Sequence, residues 1–222
     1  MNKFLKLLVL LQLTTFGSYA QEIEVSEFIP EGYLATEKHF GDLNKDGQDD
    51  CVLIIKKTDK NNVVINQYDK KVDRNRRGII VLFKNENGYQ LADKNYNCFS
   101  SENEDGRGYI PPDLVIQIKN EKLYVHYGHG RYGYWDYTFR FQNSNFELIG
   151  YDQTDMGGPS IIQQISLNFL SKKKLVRKNT YQSKNGGDIK EVFDEKWTDI
   201  KVEALIKLSE IDDFDKLVLD NY

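Results

Sequence analysis

Short runs of β-branched and aromatic residues, each closed by Asn, Asp or Gly, recur along most of this chain and point to strands rather than helices. Cys51-Val-Leu-Ile-Ile55 is apolar without alternation, the pattern of a strand buried on both faces. Gly78-Ile-Ile-Val-Leu-Phe83 is a second such run. It passes through Asn85-Glu86-Asn87-Gly88, a hairpin cue, into Tyr89-Gln-Leu91. Asn120-Glu121 joins residues 114–118 to 123–127, and Asn143-Ser144-Asn145 joins 135–141 to 146–149, giving four consecutive antiparallel strands. Residues 33–91 divide in the same way. The predicted class is all-β, built from antiparallel four-stranded meanders. An aromatic content of 13%, led by Tyr, suits strands.

The N-terminus reads differently. Lys3 and Lys6 precede the apolar stretch 7–13, and Ser18-Tyr19-Ala20 supplies small residues at the −3 and −1 positions. That order is the pattern of a secretory signal, residues 1–20, cleaved before Gln21. The apolar stretch is shorter than the roughly 20 residues that span a bilayer, and no later segment approaches that length. No Cys follows the cleavage point, which argues against a lipoprotein anchor. Residues 21–222 are then expected to form a single β-rich domain, periplasmic or secreted. The formal charge of −4 lacks the basic footprint of a nucleic-acid binder. Lys172-Lys173-Lys174 is read as a solvated hairpin turn. The two cysteines, Cys51 and Cys98, are expected to form a disulfide in an oxidising compartment.

Asp50-Cys-Val-Leu-Ile-Ile-Lys56 aligns with Asp113-Leu-Val-Ile-Gln-Ile-Lys119, and each follows an acidic turn, Asn44-Lys-Asp46-Gly47 and Asn103-Glu-Asp105-Gly106. A third, eroded copy starts near Asp152, placing repeats near 33–98, 99–151 and 152–197. Self-similarity at such a period suggests blades. The tail from 198 onward fits one helical face (Val202, Leu205, Ile206) or one strand face (Val202, Ala204, Ile206, Leu208), which leaves a short C-terminal helix open.

The stretch richest in chemistry is Gly41-Asp-Leu-Asn-Lys-Asp-Gly-Gln-Asp-Asp50. Asp42, Asn44 and Asp46 place oxygens at loop positions 1, 3 and 5. Gly47 permits a sharp turn, Gln48 offers a backbone carbonyl and Asp50 a carboxylate. Hard oxygen donors at this spacing suit Ca²⁺ in a structural role. Leu53 stands where an EF-hand needs a bidentate Glu, so that reading fails. The pattern D-x-N-x-D-G-x-x-D followed by an apolar strand resembles the FG-GAP/VCBS repeat family, including the calcium loops of integrin α-subunits. The resemblance is specific over residues 42–55 and faint over 103–118. It implies a loop joining two strands of one blade and, in so short a chain, a partial or reduced β-propeller-like array.

Residues 124–137 are dense in rings separated by glycines. Tyr132, Tyr134 and Trp135 are the candidate ligand-binding side chains, since exposed Tyr and Trp stack on sugars or anchor peptides. Packing between blades is the competing use of Tyr124, Trp135 and Tyr137. No G-x-S-x-G, H-E-x-x-H, phosphate loop or C-x-x-C is present, so the sequence leans away from an enzyme. It does not exclude one, because glycan hydrolysis needs only two suitably placed carboxylates. The expected function is therefore an exported, calcium-stabilised module that binds a glycan or a protein. The alternative is an extracytoplasmic, glycan-directed hydrolase with an unrecognised carboxylate pair, or with His126 or His129 as acid–base.

Overall fold

The computed structural model describes residues 23–101, 113–181, 191–219 and 222. The expected signal segment, 1–20, and the second acidic turn, 103–106, lie outside them. The described residues are all-β with antiparallel sheets, and no helix among them is long and apolar enough to cross a membrane.

Strands β1 (Tyr33–Gly41), β2 (Asp50–Lys57), β5 (Arg77–Asn85) and β6 (Gly88–Phe99) form a four-stranded sheet in sequential order. A two-stranded ribbon of β3 (Val63–Ile65) and β4 (Lys71–Asp73) interrupts it between β2 and β5. The other seven strands make one uninterrupted meander. They are β7 (Asp113–Lys119), β8 (Lys122–Gly128), β9 (Gly133–Gln142), β10 (Asn145–Gly157), β11 (Ser160–Asn168), β12 (Lys173–Asn179) and β13 (Phe193–Asp199).

Turn chemistry sets the register. Asn120 and Glu121 both have φ near +50°, as do Asn143 and Ser144, so each pair closes a two-residue hairpin whose twist matches the flanking strands. Lys172 turns between β11 and β12 at φ 55°. All three turns were legible in the sequence.

The two sheets pack face to face. Val52, Ile54, Ile79 and Val81 of the smaller sheet share a core with Val125, Phe139, Leu148 and Leu167 of the larger. Phe83 of β5 meets Phe141 of β9 edge-on at 4.7 Å. The second face of β2 and β5 is covered too: Leu53, Ile55, Ile80 and Leu82 pack beneath Val25, Phe28 and Ile29. Burial on both sides explains why these two strands lack alternation.

Three expectations need correction. The blade boundary expected at 151/152 falls inside β10, which pairs without a break with β9 and β11. The strands therefore make a two-sheet packing rather than a row of separate blades. In place of the expected Cys51–Cys98 disulfide, the structure holds two separate, fully buried thiols. Cys51 is opposite Leu82, which is opposite Leu91, and Cys98 lies seven residues further along β6. Bulges in β6 absorb part of that offset, since Phe99 is opposite Arg77, but about four residues of β5 remain, roughly 13 Å, still beyond the ~7 Å Cα limit of a bridge. The two thiols also point into different cores. Finally, after β13 the described part of the tail forms neither a named strand nor an α-helix. It contains single 3₁₀ turns, Leu208–Glu210 and Phe214–Lys216, and inserts Leu208, Ile211, Phe214 and Leu219 into the main core. Asn95 holds it there by donating to the carbonyls of Leu208 (2.9 Å) and Ile211 (2.7 Å).

Candidate functional site

The outer face of the seven-stranded sheet carries a row of facing residues that the hairpin registers bring together. Val115 is opposite His126, His126 opposite Asp136, Asp136 opposite Asp152, Asp152 opposite Ser166, Ser166 opposite Leu175 and Leu175 opposite Trp197. The row crosses all seven strands, a span of roughly 29 Å at ~4.8 Å per strand. Its middle lies in an open groove of about 630 Å³, with Gln117, Tyr124, Tyr134, Thr138, Thr154 and Gln164 beside the row. A smaller hollow of about 220 Å³ shares Asp152, Thr154 and Gln164 with the groove and extends it towards Leu175 and Arg177.

A one-residue bulge makes this face possible. In the hairpin, Phe146 and Leu148 of β10 point into the core, and strict alternation would send Asp152 inward as well. Ile149 has no partner on β9, because the register shifts between Leu148 and Gly150. The extra residue reverses the phase, so Tyr151 enters the core and Asp152 and Thr154 line the groove. Gly133, at the start of β9, is required for a different reason. Its φ is +127°, and a Cβ there would lie 2.0 Å from the Thr154 carbonyl oxygen.

The groove's electrostatics centre on three side chains. His126 Nδ1 and Asp136 Oδ1 are 2.7 Å apart, and both side chains are about one-third exposed. Tyr134 lies against the His126 ring at 5.4 Å. Asp152 is open to solvent, but the protein around it partly desolvates the carboxyl and raises its pKa. A hydrogen bond to Ser166 opposes that rise, and the charge of Asp136 reinforces it. Arg177 donates to Gln164 (2.7 Å) and Glu195 (2.9 Å), fixing the amide that borders the groove. Trp197, 63% exposed, stands at the edge of the same face.

The ring-rich segment does not form one platform. Tyr132 is exposed on the 3₁₀ turn Gly130–Tyr132, with the Arg131 guanidinium over its ring. Tyr134 faces the groove. Trp135, its neighbour in the strand, turns to the opposite face, against the core and edge-on to His129 at 4.5 Å. Adjacent strand residues cannot share a face. Asp136, Asp152 and Trp197 were missed by the sequence reading, since only the register shows that they lie in one row. His126 was noticed, without its partner.

The acidic loop 42–50 joins β1 to β2, the first two strands of the smaller sheet. Asp42 accepts from the backbone N–H groups of Lys45 (2.6 Å) and Gly47 (3.0 Å), Asn44 from Asp46 (2.9 Å), and Asp46 from Gln48 (2.8 Å). Gly47 has φ +81° and Lys45 +72°. Asp50 is fully buried, and its two oxygens accept from Leu43 N–H (2.7 Å) and Lys84 N–H (3.0 Å), tying the loop to β5. Burial lifts its carboxyl above the ordinary range; those two N–H groups pull it back, while Asp46 and Asp42 push it up. The donor chemistry of Asp42, Asn44 and Asp46 fits a hard cation, whose charge would relieve this crowding. Among the described residues, however, no three His, Cys, Asp or Glu side chains converge as a ready-made cage. Asp50 acts here as an internal latch.

Comparison with protein families, curated proteins and solved structures gives no match for this chain.

Proposed function

We propose that this chain is an exported β-domain that binds a glycan along the outer face of its seven-stranded sheet. The observation that carries the reading is the groove itself. It is open and long, lined by amides, hydroxyls and carboxylates, and flanked by Tyr124, Tyr134 and the exposed Trp197. Sugars present hydroxyls around apolar ring faces, and a mixture of planar polar groups and exposed aromatics complements both. The groove is several sugar rings long. The signal-type N-terminus supports export, and an extracytoplasmic domain meets glycans there.

Calcium in the loop formed by Asp42, Asn44, Asp46 and the Gln48 carbonyl belongs to the same proposal, as a stiffener of the β1–β2 connection. Its support is the donor spacing and the position of the loop between the first two strands of a four-stranded meander, as the FG-GAP/VCBS resemblance implies for one blade. The partial propeller-like array reduces, on this reading, to that single blade-like unit.

Isothermal titration against a panel of bacterial and plant polysaccharides tests the binding reading. Binding that is lost in Tyr134→Ala and Trp197→Ala supports it. Binding that survives both substitutions moves the site elsewhere, and no binding across the panel removes the glycan.

A second reading, a glycan hydrolase, rests on one specific observation: Asp136 and Asp152 are directly facing residues. Cβ atoms of such neighbours are about 4.5–5.5 Å apart, and paired carboxyls at ~5–5.5 Å serve as nucleophile and acid in retaining glycosidases. Release of reducing ends that disappears in Asp152→Asn would favour it over simple binding.

A further inference from the structure

On the other side of β9, behind the groove, a second cavity of about 250 Å³ opens between the seven-stranded sheet and the C-terminal tail. We infer that it is a binding site for a small alkylated ammonium ion, held among the rings of Tyr127, Trp135, Tyr137 and Phe214 and neutralised by Asp215.

The lining defines the guest. Four of the side chains around the cavity are aromatic rings of Tyr, Trp or Phe, and Asp215 is the carboxylate among them. Asp215 is held from two sides: His129 Nε2 lies 3.2 Å from one oxygen, and the Tyr127 hydroxyl donates to the other at 3.3 Å. Burial by itself would raise this carboxyl, but hydrogen bonds to His129, Ser100 and Tyr127, with the His129 charge, bring it below its usual range. The group is therefore an anion at neutral pH, and it is one-quarter exposed, within reach of a guest.

A fixed negative charge among aromatic rings favours a cation. A bare metal ion fits poorly, because hard cations require several oxygens and no cluster of three metal-ligating side chains exists among the described residues. A soft, methylated cation matches the aromatic walls and needs one counter-charge. The volume lies below the ~300–1,000 Å³ of sites for drug-sized ligands, which restricts the guest to a few heavy atoms. Apart from His129, which lines the cavity beside Asp215, the nearest cationic side chains lie outside it: Arg76 is engaged with Asp213 at 3.1 Å, and Arg77 donates to the Ser100 carbonyl.

The site is distinct from the proposed glycan groove because Tyr134 and Trp135 point to opposite faces, so either can fail without the other. The two tryptophans report on them separately. Trp135 borders the cavity, whereas Trp197 is on the outer face at the sheet edge.

The test is choline titrated into Trp197→Phe protein, leaving Trp135 as the fluorophore. A saturable change in emission with half-saturation at or below the millimolar range is expected. The same titration with 3,3-dimethylbutan-1-ol, the uncharged isostere, is expected to need at least tenfold more, and Asp215→Asn to weaken choline to a similar extent. Should Asp215→Asn fail to fold, the comparison of charged and neutral guests on the parent protein decides alone. Equal binding of the two, or no response to choline, overturns the inference. Co-sedimentation with phosphatidylcholine vesicles distinguishes a lipid headgroup from a free solute as the source of the ammonium.

Discussion

Asp136 and Asp152 face each other across β9 and β10, yet they are held differently. Asp136 has the His126 ring at 2.7 Å, while Asp152 has the hydroxyl of Ser166 and the charge of Asp136 beside it. The two acids therefore sit in unequal surroundings, and burial, reinforced by the charge of Asp136, lets Asp152 keep its proton to higher pH than an ordinary carboxyl. That inequality underlies both the binding and the hydrolytic readings of the groove, and it can be measured without knowing the ligand.

The raised pKa of Asp152 has a definite sign in stability. Its contribution is fully present below the ordinary carboxyl value of 3.8 and is lost as pH rises through the folded value. Asp152→Asn removes that loss. The variant should melt about 1–2 °C above the parent at pH 7, a small gain because the group is solvent-accessible. The gain should vanish near pH 3.5. A scan of melting temperature against pH that shows parallel curves would contradict the unequal pair.

The acidic loop makes the opposite response to calcium. Without the ion, the buried Asp50, whose carboxyl is raised, contributes less stability as pH climbs from 3.8 through its folded value. A cation binds the ionised loop, so its stabilisation should grow over the same interval. At 100-fold over Kd, the gain is about 2.7 kcal/mol, or roughly 5–10 °C in melting temperature. Asp42→Ala and Asp46→Ala should abolish the calcium increment with little effect on the calcium-free protein. Asp50→Ala should lower the baseline itself by about 2–4 kcal/mol, because it strands the Leu43 and Lys84 N–H groups. Differential scanning calorimetry with and without millimolar calcium separates these effects.

The free thiols offer a direct check on the sheet register. Burial pushes Cys51 up to about 11, with Lys38 opposing, and raises Cys98 further still. Neither should react with a thiol reagent in the native protein at pH 8, and denaturation without reductant should release two equivalents. Zero equivalents would mean that the strands pair differently.

Phe214 is the keystone of the tail. It stacks on Phe99 at 4.8 Å and meets Tyr137 edge-on at 4.8 Å, joining the tail to both sheets. Phe214→Ala should cost about 3–5 kcal/mol, seen as a fall of roughly 6–20 °C in melting temperature. A change within 2 °C would indicate that the tail is not docked in solution.

What the sequence revealed was mostly local. Asn120-Glu121 and Asn143-Ser144 announce their hairpins because two residues at positive φ are a property of the turn alone. The continuous apolar runs of β2 and β5 announce burial on both faces for the same reason. The groove was hidden because it depends on Ile149, one residue out of phase in a strand whose two halves each alternate normally. Counting by twos from Phe146 places Asp152 in the core, and no composition rule corrects that. Trp197 likewise gains meaning only when four hairpin registers are added between it and Asp136. The tail's periodicity was ambiguous because its apolar residues answer to a cleft between sheets, not to any regular element of their own.

The bulge can be tested by two deletions only two positions apart. Removing Ile149 takes out the unpaired residue itself: Leu148 still faces inward, Gly150 outward, Tyr151 inward and Asp152 outward, now in plain alternation. The loss is the burial of one Ile side chain, about 1.5–3 kcal/mol, or roughly 3–10 °C, with the groove's lining intact. Removing Tyr151 leaves two poor choices. If the bulge stays, Asp152 and Thr154 swing into the core and Gln153 out of it. If the bulge is given up, Ile149 turns to solvent and Gly150 leaves a void where a fully buried ring had been. Either route should abolish cooperative unfolding. Circular dichroism melts of the two deletion variants therefore give opposite outcomes, and equal damage from both would show that Ile149 does not set the phase of the strand.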